Sequence, residues 1–222
     1  MVASYFDVDG TLVASNLLHP TLFYLKNLAT PWQSAKALGR TLAGAPRMAL
    51  AELFDRRTFN ELLFSTYQGI SEDRLHLLAD EAFQDTMLPH LFLTSRELLD
   101  RARNAGHEIV LISGALDFIL ERLAAHLGGA TLIANRLELK NGYATGKLVK
   151  PVVAGPEKAR LVREHAKERG YDLAECFAYS DSYSDVPMLS VVGHPAAVNP
   201  DPRLAMLAKA YSWPIFRLSK HP

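Results

Sequence analysis

The sequence predicts an α/β protein in which helices cover both faces of a doubly wound parallel sheet, with a helical cap inserted after the first strand. Short apolar runs alternate with helical patterns, an order that is typical of parallel sheets. Polar residues follow several of these runs, at the edge of the sheet where ligands bind in such folds. The predicted strands cover residues 5–8, 109–112, 131–134, 177–179 and 196–198.

An insertion follows the first predicted strand, because about a hundred residues separate it from the second, far more than one crossover helix requires. Helical patterns cover residues 17–28, 35–54, 59–67 and 72–87, and a further helix over residues 91–105 returns the chain to the sheet. Prolines punctuate these patterns, namely Pro20, Pro31, Pro46 and Pro89. We predict a helical cap domain at residues 15–88 and a core domain formed by residues 1–14 and 89–222. A hairpin around Asn141 and Gly142 is a small antiparallel addition.

The cap helices are rich in apolar residues, which could line an apolar substrate pocket, touch lipid or pack in the core of the cap. Core packing is the favoured interpretation. The residues concerned are Leu22, Phe23, Leu25, Leu28, Leu50, Leu53 and Phe54.

The composition indicates a globular protein without an overall charge. Of its 222 residues 49% are hydrophobic, and 24 Lys and Arg balance 24 Asp and Glu. A neutral chain has no net field to attract nucleic acid or an anionic membrane, so nucleic acid and integral membrane contact are not expected, while any peripheral lipid contact stays open. The most apolar stretch, residues 109–127, is interrupted by charges and is too short to cross a bilayer.

The expected location is the cytoplasm. The single Cys176 lies in an apolar run and is expected to be a buried, inert thiol, which suits a reducing compartment. No signal-peptide pattern precedes the first strand. The oligomeric state stays open.

Two carboxylates stand where the first predicted strand ends. Asp7 and Asp9 are two residues apart, so they share a face in an extended chain, where like charges resist ionising together. A divalent cation would relieve that repulsion. The simpler alternative is an ordinary strand that ends in an Asp-Gly turn.

Two further motifs offer groups that could bind an anion. Ser113 and Gly114 follow the second predicted strand, where a hydroxyl and free N–H groups could hold phosphate oxygens; a normal helix start is the alternative. Lys158 lies in the first turn of a helix that begins at Pro156. Cations are favoured at the other end of a helix, so an anion between Lys158 and the sheet would explain its position. A solvated surface lysine is the alternative.

A second pair of carboxylates, Asp181 and Asp185, follows the predicted strand at residues 177–179. Their hard oxygens suit Mg²⁺. Either residue alone could simply cap a helix, but that explanation does not suit both.

Taken together, these motifs resemble the haloacid dehalogenase (HAD) superfamily of phosphohydrolases, which implies a HAD-like Rossmannoid core. The insertion after the first motif resembles the phosphoserine phosphatase-like branch, as do the segments AYSDSYSDVPML and AVNPD. The resemblance implies a phosphatase that acts on a small phosphorylated substrate, either a small phosphomonoester or a lipid-like phosphate.

The resemblance also implies a role for each motif. Asp7 would form an aspartyl phosphate, and Asp9 would act as general acid and base. Mg²⁺ would be held by Asp7, Asp181 and the backbone carbonyl of Asp9. The groups that bind phosphate would be Ser113, Gly114, Lys158 and Ser184. Supporting roles would fall to Thr11 and to Asp185, which would act through a metal-bound water or by orienting Lys158.

Three positions depart from phosphoserine phosphatases. The branch's glutamate for the substrate ammonium falls on Asn16, its cap arginine for the substrate carboxylate falls on Thr66, and its asparagine before the last aspartate falls on Ser184. Arg56 and Arg57 lie nearby but out of register. A zwitterionic substrate should lose much of its binding without those charges. We therefore predict a phosphomonoesterase whose substrate need not be phosphoserine.

Two alternatives without catalysis stay open. A phosphate-responsive regulator resembling receiver domains would combine similar groups, but receivers place the phosphorylated aspartate at a later strand and lack so large an insertion. The other alternative is a binding protein with an idle HAD-like core. Mg²⁺-dependent release of phosphate from an aryl phosphate separates an enzyme from both.

Overall fold

The computed structural model describes residues 2–219 of the chain. In that part of the chain the strands are β1 (Ala3–Phe6), β2 (Glu108–Leu116), β3 (Thr131–Asn135), β4 (Leu137–Lys140), β5 (Tyr143–Leu148), β6 (Phe177–Ser180), β7 (His194–Val198) and β8 (Ile215–Phe216). The helices are α1 (Leu18–Lys26), α2 (Pro31–Phe54), α3 (Arg56–Ser65), α4 (Glu72–Leu77), α5 (Ala79–Thr86), α6 (Ser95–Asn104), α7 (Asp117–His126), α8 (Pro156–Arg169), α9 (Val186–Leu189) and α10 (Pro202–Ala210). Short 3-10 helices cover Leu88–His90 and Tyr183–Asp185.

Six strands form one parallel sheet in the order β3-β2-β1-β6-β7-β8. The chain builds outwards from β1 on one side and then adds β6, β7 and β8 on the other, so the predicted doubly wound fold is confirmed. Phe6 of β1 is level with Leu111 of β2 and with Tyr179 of β6. The switch point between β1 and β6 is the crevice where ligands bind in such sheets.

The sheet is buried on both faces, because alternate residues of each strand enter different apolar clusters. Phe6 packs into the cluster that extends under the inserted helices. Its neighbour Tyr5 belongs to the cluster on the opposite face, with Val110 and Val162. Cys176 is also buried there, as predicted. This double cover holds the carboxyl end of β1 in place.

The helices α1 to α5 lie between β1 and β2, and they are called the cap below. The helix predicted over residues 72–87 is wrong in one respect, since the backbone turns at Leu78 and separates α4 from α5. Just before this turn the hydroxyl of Tyr24 donates to the carbonyl of Leu75 (2.9 Å). A side chain of α1 thus forms a hydrogen bond with a backbone carbonyl in the last turn of α4.

Proline has different effects at different positions of α2. Pro31 occupies the first turn of α2, where its missing N–H costs nothing. Pro46 does not end a helix, because α2 continues through it to Phe54 and the proline itself is exposed. The helix predicted from residue 91 begins only at Ser95.

The division into two domains, a cap at residues 15–88 and a core formed by the rest, stays a prediction.

The predicted hairpin is confirmed, with β4 and β5 antiparallel and with positive φ at Asn141 (53°) and Gly142 (77°). Strand β8 and helix α10 have no counterpart among the sequence predictions. Within residues 2–219, no helix combines the length and the apolar character that crossing a bilayer demands.

A polar cluster closes the end of the sheet opposite the switch point. The Tyr5 hydroxyl and His165 Nδ1 lie 3.0 Å apart, and His165 Nε2 is 3.7 Å from a carboxylate oxygen of Glu108. Burial lowers the pKa of His165, against the opposing charge of Glu108. The fold therefore favours the neutral imidazole.

Candidate active site

The carboxylate of Asp7 lies at the carboxyl end of β1, at the switch point of the sheet. The Asp7 N–H donates to the carbonyl of Tyr179 (2.9 Å), which continues the pairing with β6 by one residue. Lys158 Nζ donates to Asp7 Oδ1 (2.6 Å), and the Thr11 hydroxyl lies 3.3 Å from Asp7 Oδ2. Both oxygens of this buried carboxylate are therefore held by neighbours.

The loop after β1 brings a second carboxylate against the first. The Thr11 hydroxyl that contacts Asp7 also lies 3.2 Å from Asp181 Oδ1. Gly10 has φ +85°, and a Cβ at this position would be only 2.1 Å from Asp181 Oδ2. Only glycine therefore allows Asp181 to approach this loop.

Lys158 is buried between two carboxylates in the first turn of α8. It donates to Asp7 Oδ1 and, at 2.7 Å, to Asp185 Oδ2. The Ser180 hydroxyl donates to the same oxygen of Asp185 (2.8 Å). Burial lowers the pKa of Lys158, but the charges of Asp185 and Asp7 outweigh burial and hold its pKa above the ordinary range. The position of Lys158 in the first turn of α8 predicted a nearby anion. In this structure the carboxylates of Asp7 and Asp185 are the anions beside it.

The carboxylate of Asp9 points to a different group. Its Oδ2 accepts a hydrogen bond from the Ser113 hydroxyl (3.4 Å), at the carboxyl side of the sheet. Ser113 Oγ in turn accepts from the N–H of Ala115 (3.0 Å). The neighbouring Gly114 leaves room for the cap, because its Cβ would lie 2.8 Å from Asn60 Nδ2.

Ser184 and Asp185 lie in the turn after β6. The Ser184 hydroxyl is 3.0 Å from the Ser182 hydroxyl, and Ser184 lines the site beside Asp181. Asp185 contacts Lys158 directly. The sequence left two supporting roles open for Asp185, and this contact fits the one in which it orients Lys158.

The carboxylates repel one another in this buried setting. Burial and, after it, the charge of Asp7 together raise the pKa of Asp9 to about 7. The pKa of Asp181 is about 8 for the same two reasons. Burial also raises the pKa of Asp7, although Lys158 opposes that shift. Such unrelieved repulsion is what a bound cation removes.

The donor set around Asp7 fits a hard cation. Among residues 2–219, no three His, Cys, Asp or Glu side chains cluster as a metal site, and the Asp9 side chain is directed to Ser113. A cation here would be held by the carboxylates of Asp7 and Asp181 and by the Asp9 carbonyl, with water in the remaining positions. This all-oxygen set suits Mg²⁺, which keeps several waters.

A cavity of about 50 Å³ lies between the sheet edge and the cap, with room for only a few water-sized groups. An outer cleft of about 650 Å³ adjoins it and shares Glu52, Arg56 and Asp181. A substrate larger than phosphate therefore extends into the outer cleft or requires the cap to move. The residues of the cap, and of the segment just before it, that line the cavity are Asn16, Leu17, Leu18, Glu52, Arg56, Phe59 and Asn60.

The structure brings all the site residues predicted from the sequence to one end of the sheet. It also adds residues that motif spacing could not assign. Arg56 and Glu52 form an ion pair (3.3 Å) and line the cavity, whereas Thr66 lines a separate groove of the cap. In the sequence, Arg56 could be noticed only as a charged residue near Thr66, the position of the branch's cap arginine. Its place over the site depends on the bend between α2 and α3.

The doubly wound sheet, the cap and the acidic residues at the switch point fit the hydrolase class that comparisons with known proteins show. The model of the haloacid dehalogenase-like hydrolase family matches residues 5–190. Phosphoserine phosphatase SerB1 of Mycobacterium tuberculosis is 32% identical over 229 residues, covering 98% of this chain and 72% of that protein. Histidinol-phosphatase of Neisseria meningitidis is 30% identical over 216 residues, covering 95% and 96%.

The solved structures agree in fold. A substrate-bound phosphoserine phosphatase complex matches with a TM-score of 0.71 at 17% identity, covering 97% of this chain and 92% of that one. The chain belongs to the haloacid dehalogenase-like hydrolase family, and it is a phosphatase similar to the phosphoserine phosphatases. The predicted enzyme class is confirmed, and the alternatives without catalysis have no support.

Proposed function

We propose that the protein hydrolyses phosphomonoesters in two displacements at Asp7, with Mg²⁺ as its cofactor. The observation that carries this proposal is the buried Asp7 carboxylate, which has a lysine on one oxygen and a hydroxyl on the other. This carboxylate lines the cavity under the cap. A covalent intermediate would divide one difficult hydrolysis into two easier steps.

Asp7 supplies the nucleophile in this proposal. One carboxylate oxygen attacks phosphorus, the bond from phosphorus to the leaving oxygen breaks, and that oxygen keeps the bonding electron pair. Water then attacks the same phosphorus. The bond to Asp7 breaks, inorganic phosphate leaves, and the carboxylate is restored.

Asp9 moves the protons. It lines the cavity and takes part in none of the ion pairs found within residues 2–219, so its carboxyl group is free to exchange a proton. Asp9 gives a proton to the leaving oxygen in the first step and takes one from the attacking water in the second. General acid and base catalysis of this kind contributes about 10²- to 10⁴-fold.

The remaining groups hold charge. When bound by Asp7, Asp181 and the Asp9 carbonyl, Mg²⁺ would offset the negative charge of carboxylate and phosphate. Lys158 lies against Asp7, so its ammonium is in position to hold a phosphoryl oxygen, and Asp185 keeps it there.

We propose a small phosphomonoester other than phosphoserine as the substrate. Asn16 lines the cavity without a charge, and Thr66 lies elsewhere on the cap. Glu52 and Arg56 bring charges to both the cavity and the outer cleft, where a leaving group would extend. Two relatives of similar identity are named for different substrates, so identity alone does not choose between them.

The test is phosphate release from an aryl phosphate by the purified protein. We expect turnover with Mg²⁺, loss with a chelator, and recovery when Mg²⁺ is returned. Asp7→Asn should abolish turnover, and Asp9→Asn should slow it by about 10²- to 10⁴-fold. Asp73→Asn, an exposed aspartate of α4, is the matched control and should behave as wild type. Wild-type protein without turnover would contradict the proposal, as would an active Asp7→Asn variant. A screen of phosphorylated metabolites then addresses the substrate.

A further inference from the structure

The neutral chain conceals a strongly uneven distribution of charge. Between Asp9 and Glu52 the sequence contains no acidic residue, although the same segment contains Lys26, Lys36, Arg40 and Arg47. The segment includes α1 and almost all of α2. This part of the cap therefore has a local positive field that the net charge of the protein does not show.

The helix α2 also exposes large apolar side chains to solvent. Phe54, Trp32 and Leu42 are 80%, 77% and 76% exposed, the three highest values for large hydrophobic residues within residues 2–219. Leu50 on the same helix is 60% exposed. The expectation that Leu22, Leu50 and Phe54 pack in the core of the cap is wrong, because all three are exposed. For Leu50 and Phe54 the reason is that the other side of α2 packs against α1 and α3. The side chain of Leu53 lies outside the described residues.

The cations and the apolar side chains share one side of α2. With 3.6 residues per turn, they all fall within about half of the helix circumference. The three cations of α2, Lys36, Arg40 and Arg47, take part in none of the ion pairs described for residues 2–219, and all are exposed. We call this side the outer face of α2; its members are Trp32, Lys36, Arg40, Leu42, Arg47, Leu50 and Phe54.

A groove runs beside this face. It has a volume of about 820 Å³, and Lys36, Arg40 and Arg47 line it together with Arg74 and without any carboxylate. The guanidinium of Arg74 is fixed by two hydrogen bonds to the carbonyl of Asn27 (2.7 and 3.1 Å). The groove could therefore receive an anionic group without displacing an internal carboxylate.

We propose that the outer face of α2 docks on a membrane surface that contains anionic lipid. Helices that bind in the plane of a membrane combine Lys and Arg with Trp, Phe and Leu, and on α2 the cations border the apolar side chains on the side next to the groove. The cations complement lipid phosphates, and the apolar side chains enter the boundary between headgroups and acyl chains. A nucleic acid would match the cations but not Leu42 and Leu50, and a second copy of the face would oppose its own cations.

Docking of α2 also places the opening of the active site near the membrane surface. Phe54 ends the outer face of α2 and lines the outer cleft beside Arg56 and Asp181. The opening of the site therefore lies next to the lipid headgroups when α2 is docked. The docking itself depends only on α2 and does not rest on the proposed reaction.

The experiment is co-sedimentation of the full-length protein with vesicles of phosphatidylcholine alone or with phosphatidylglycerol added. We expect binding that requires phosphatidylglycerol and weakens with salt. One Lys or Arg near an anionic membrane is worth about five-fold in binding, so Lys36→Gln, Arg40→Gln and Arg47→Gln together should weaken binding roughly a hundred-fold. The matched control neutralises three exposed cations of the core, Arg163, Lys167 and Lys209, and should bind as wild type.

A second pair of variants tests the apolar part. Replacement of Trp32, Leu42 and Leu50 by serine should lower vesicle binding at least ten-fold, whereas serine at the similarly exposed Leu77 and Met206 should not. All variants change exposed side chains, so aryl phosphatase activity without vesicles should be unchanged and reports a folded protein. The proposal is overturned if the α2 and control variants bind alike, or if sedimentation velocity shows that the outer face of α2 joins two copies instead.

Discussion

Replacement of Gly10 by alanine tests how the loop after β1 brings the carboxylates together. The new Cβ would stand 2.1 Å from Asp181 Oδ2, so Asp181 must move by more than 1 Å to reach an ordinary contact. A misplacement of about 1 Å can cost roughly 10²-fold in rate. Gly10→Ala should therefore lower kcat/KM for an aryl phosphate by about that factor and raise the Mg²⁺ concentration needed for half-maximal rate.

Gly69→Ala is the control that separates the clash with Asp181 from the cost of placing a side chain on left-handed backbone. Gly69 has the same φ of +85° but no heavy atom within 4 Å of a Cβ. Gly69→Ala should lose about 1–2 kcal/mol of unfolding free energy, because left-handed backbone disfavours a side chain, and Gly10→Ala should lose at least as much, because the clash with Asp181 is added to the same backbone cost. A protein of this size loses about 2–4 °C in Tm per kcal/mol, which calorimetry measures. Wild-type kcat/KM in Gly10→Ala, or an equal loss of activity in Gly69→Ala, would refute the reasoning.

Three further predictions concern single side chains. Lys158→Met should lower the unfolding free energy in urea by about 3–5 kcal/mol, because it leaves Asp7 and Asp185 buried without their shared cation; a loss below about 1 kcal/mol would contradict the ion-pair account. Arg56→Gln should raise KM by about ten- to a hundred-fold for substrates with an acidic leaving group, with little change for a neutral aryl phosphate; equal changes would count against Arg56 as a specificity residue. The folded-state pKa of His165 is below the ordinary 6.5, so its contribution to stability is present above pH 6.5 and is lost as the pH falls through the folded-state pKa. His165→Gln should therefore flatten the acid side of the stability profile measured by urea unfolding, and parallel profiles would disprove this.

The strands and the motifs at their carboxyl ends were predictable from the sequence, because the underlying physics is local. Asp7 and Asp181 follow apolar runs, and parallel strands end at a common edge. Resemblance to a known family then connected residues that are far apart in sequence. Lys158 shows the same logic, since an anion nearby explains a lysine in the first turn of a helix, where a cation is otherwise disfavoured.

Features that depend on distant packing were not predictable. The hydrogen bond from Tyr24 to the carbonyl of Leu75 accompanies the break between α4 and α5, and no periodicity reports such a contact. Strand β8 has two residues, too few for an alternation to stand out. Arg56 reaches the cavity because of the angle between α2 and α3, which is a tertiary property.

The same limit applies to the surface of the cap. An apolar residue of an amphipathic pattern is ordinarily assigned to the core, and Phe54 and Leu50 were assigned in this way. Their exposure follows from the direction in which α2 packs. The local absence of acidic residues could be read from the sequence, but its coincidence with exposed apolar groups could not.

The central claim is that Asp7 takes up the phosphoryl group, and the most direct measurement is to locate that group during turnover. The enzyme is mixed with Mg²⁺ and an aryl phosphate, quenched with acid within one turnover, digested and examined by mass spectrometry. We expect phosphate on the peptide that contains Asp7, at the aspartate itself, and none in Asp7→Asn. Rapid phosphate release with no phosphorylated peptide, or with the phosphate on another residue, would contradict the account.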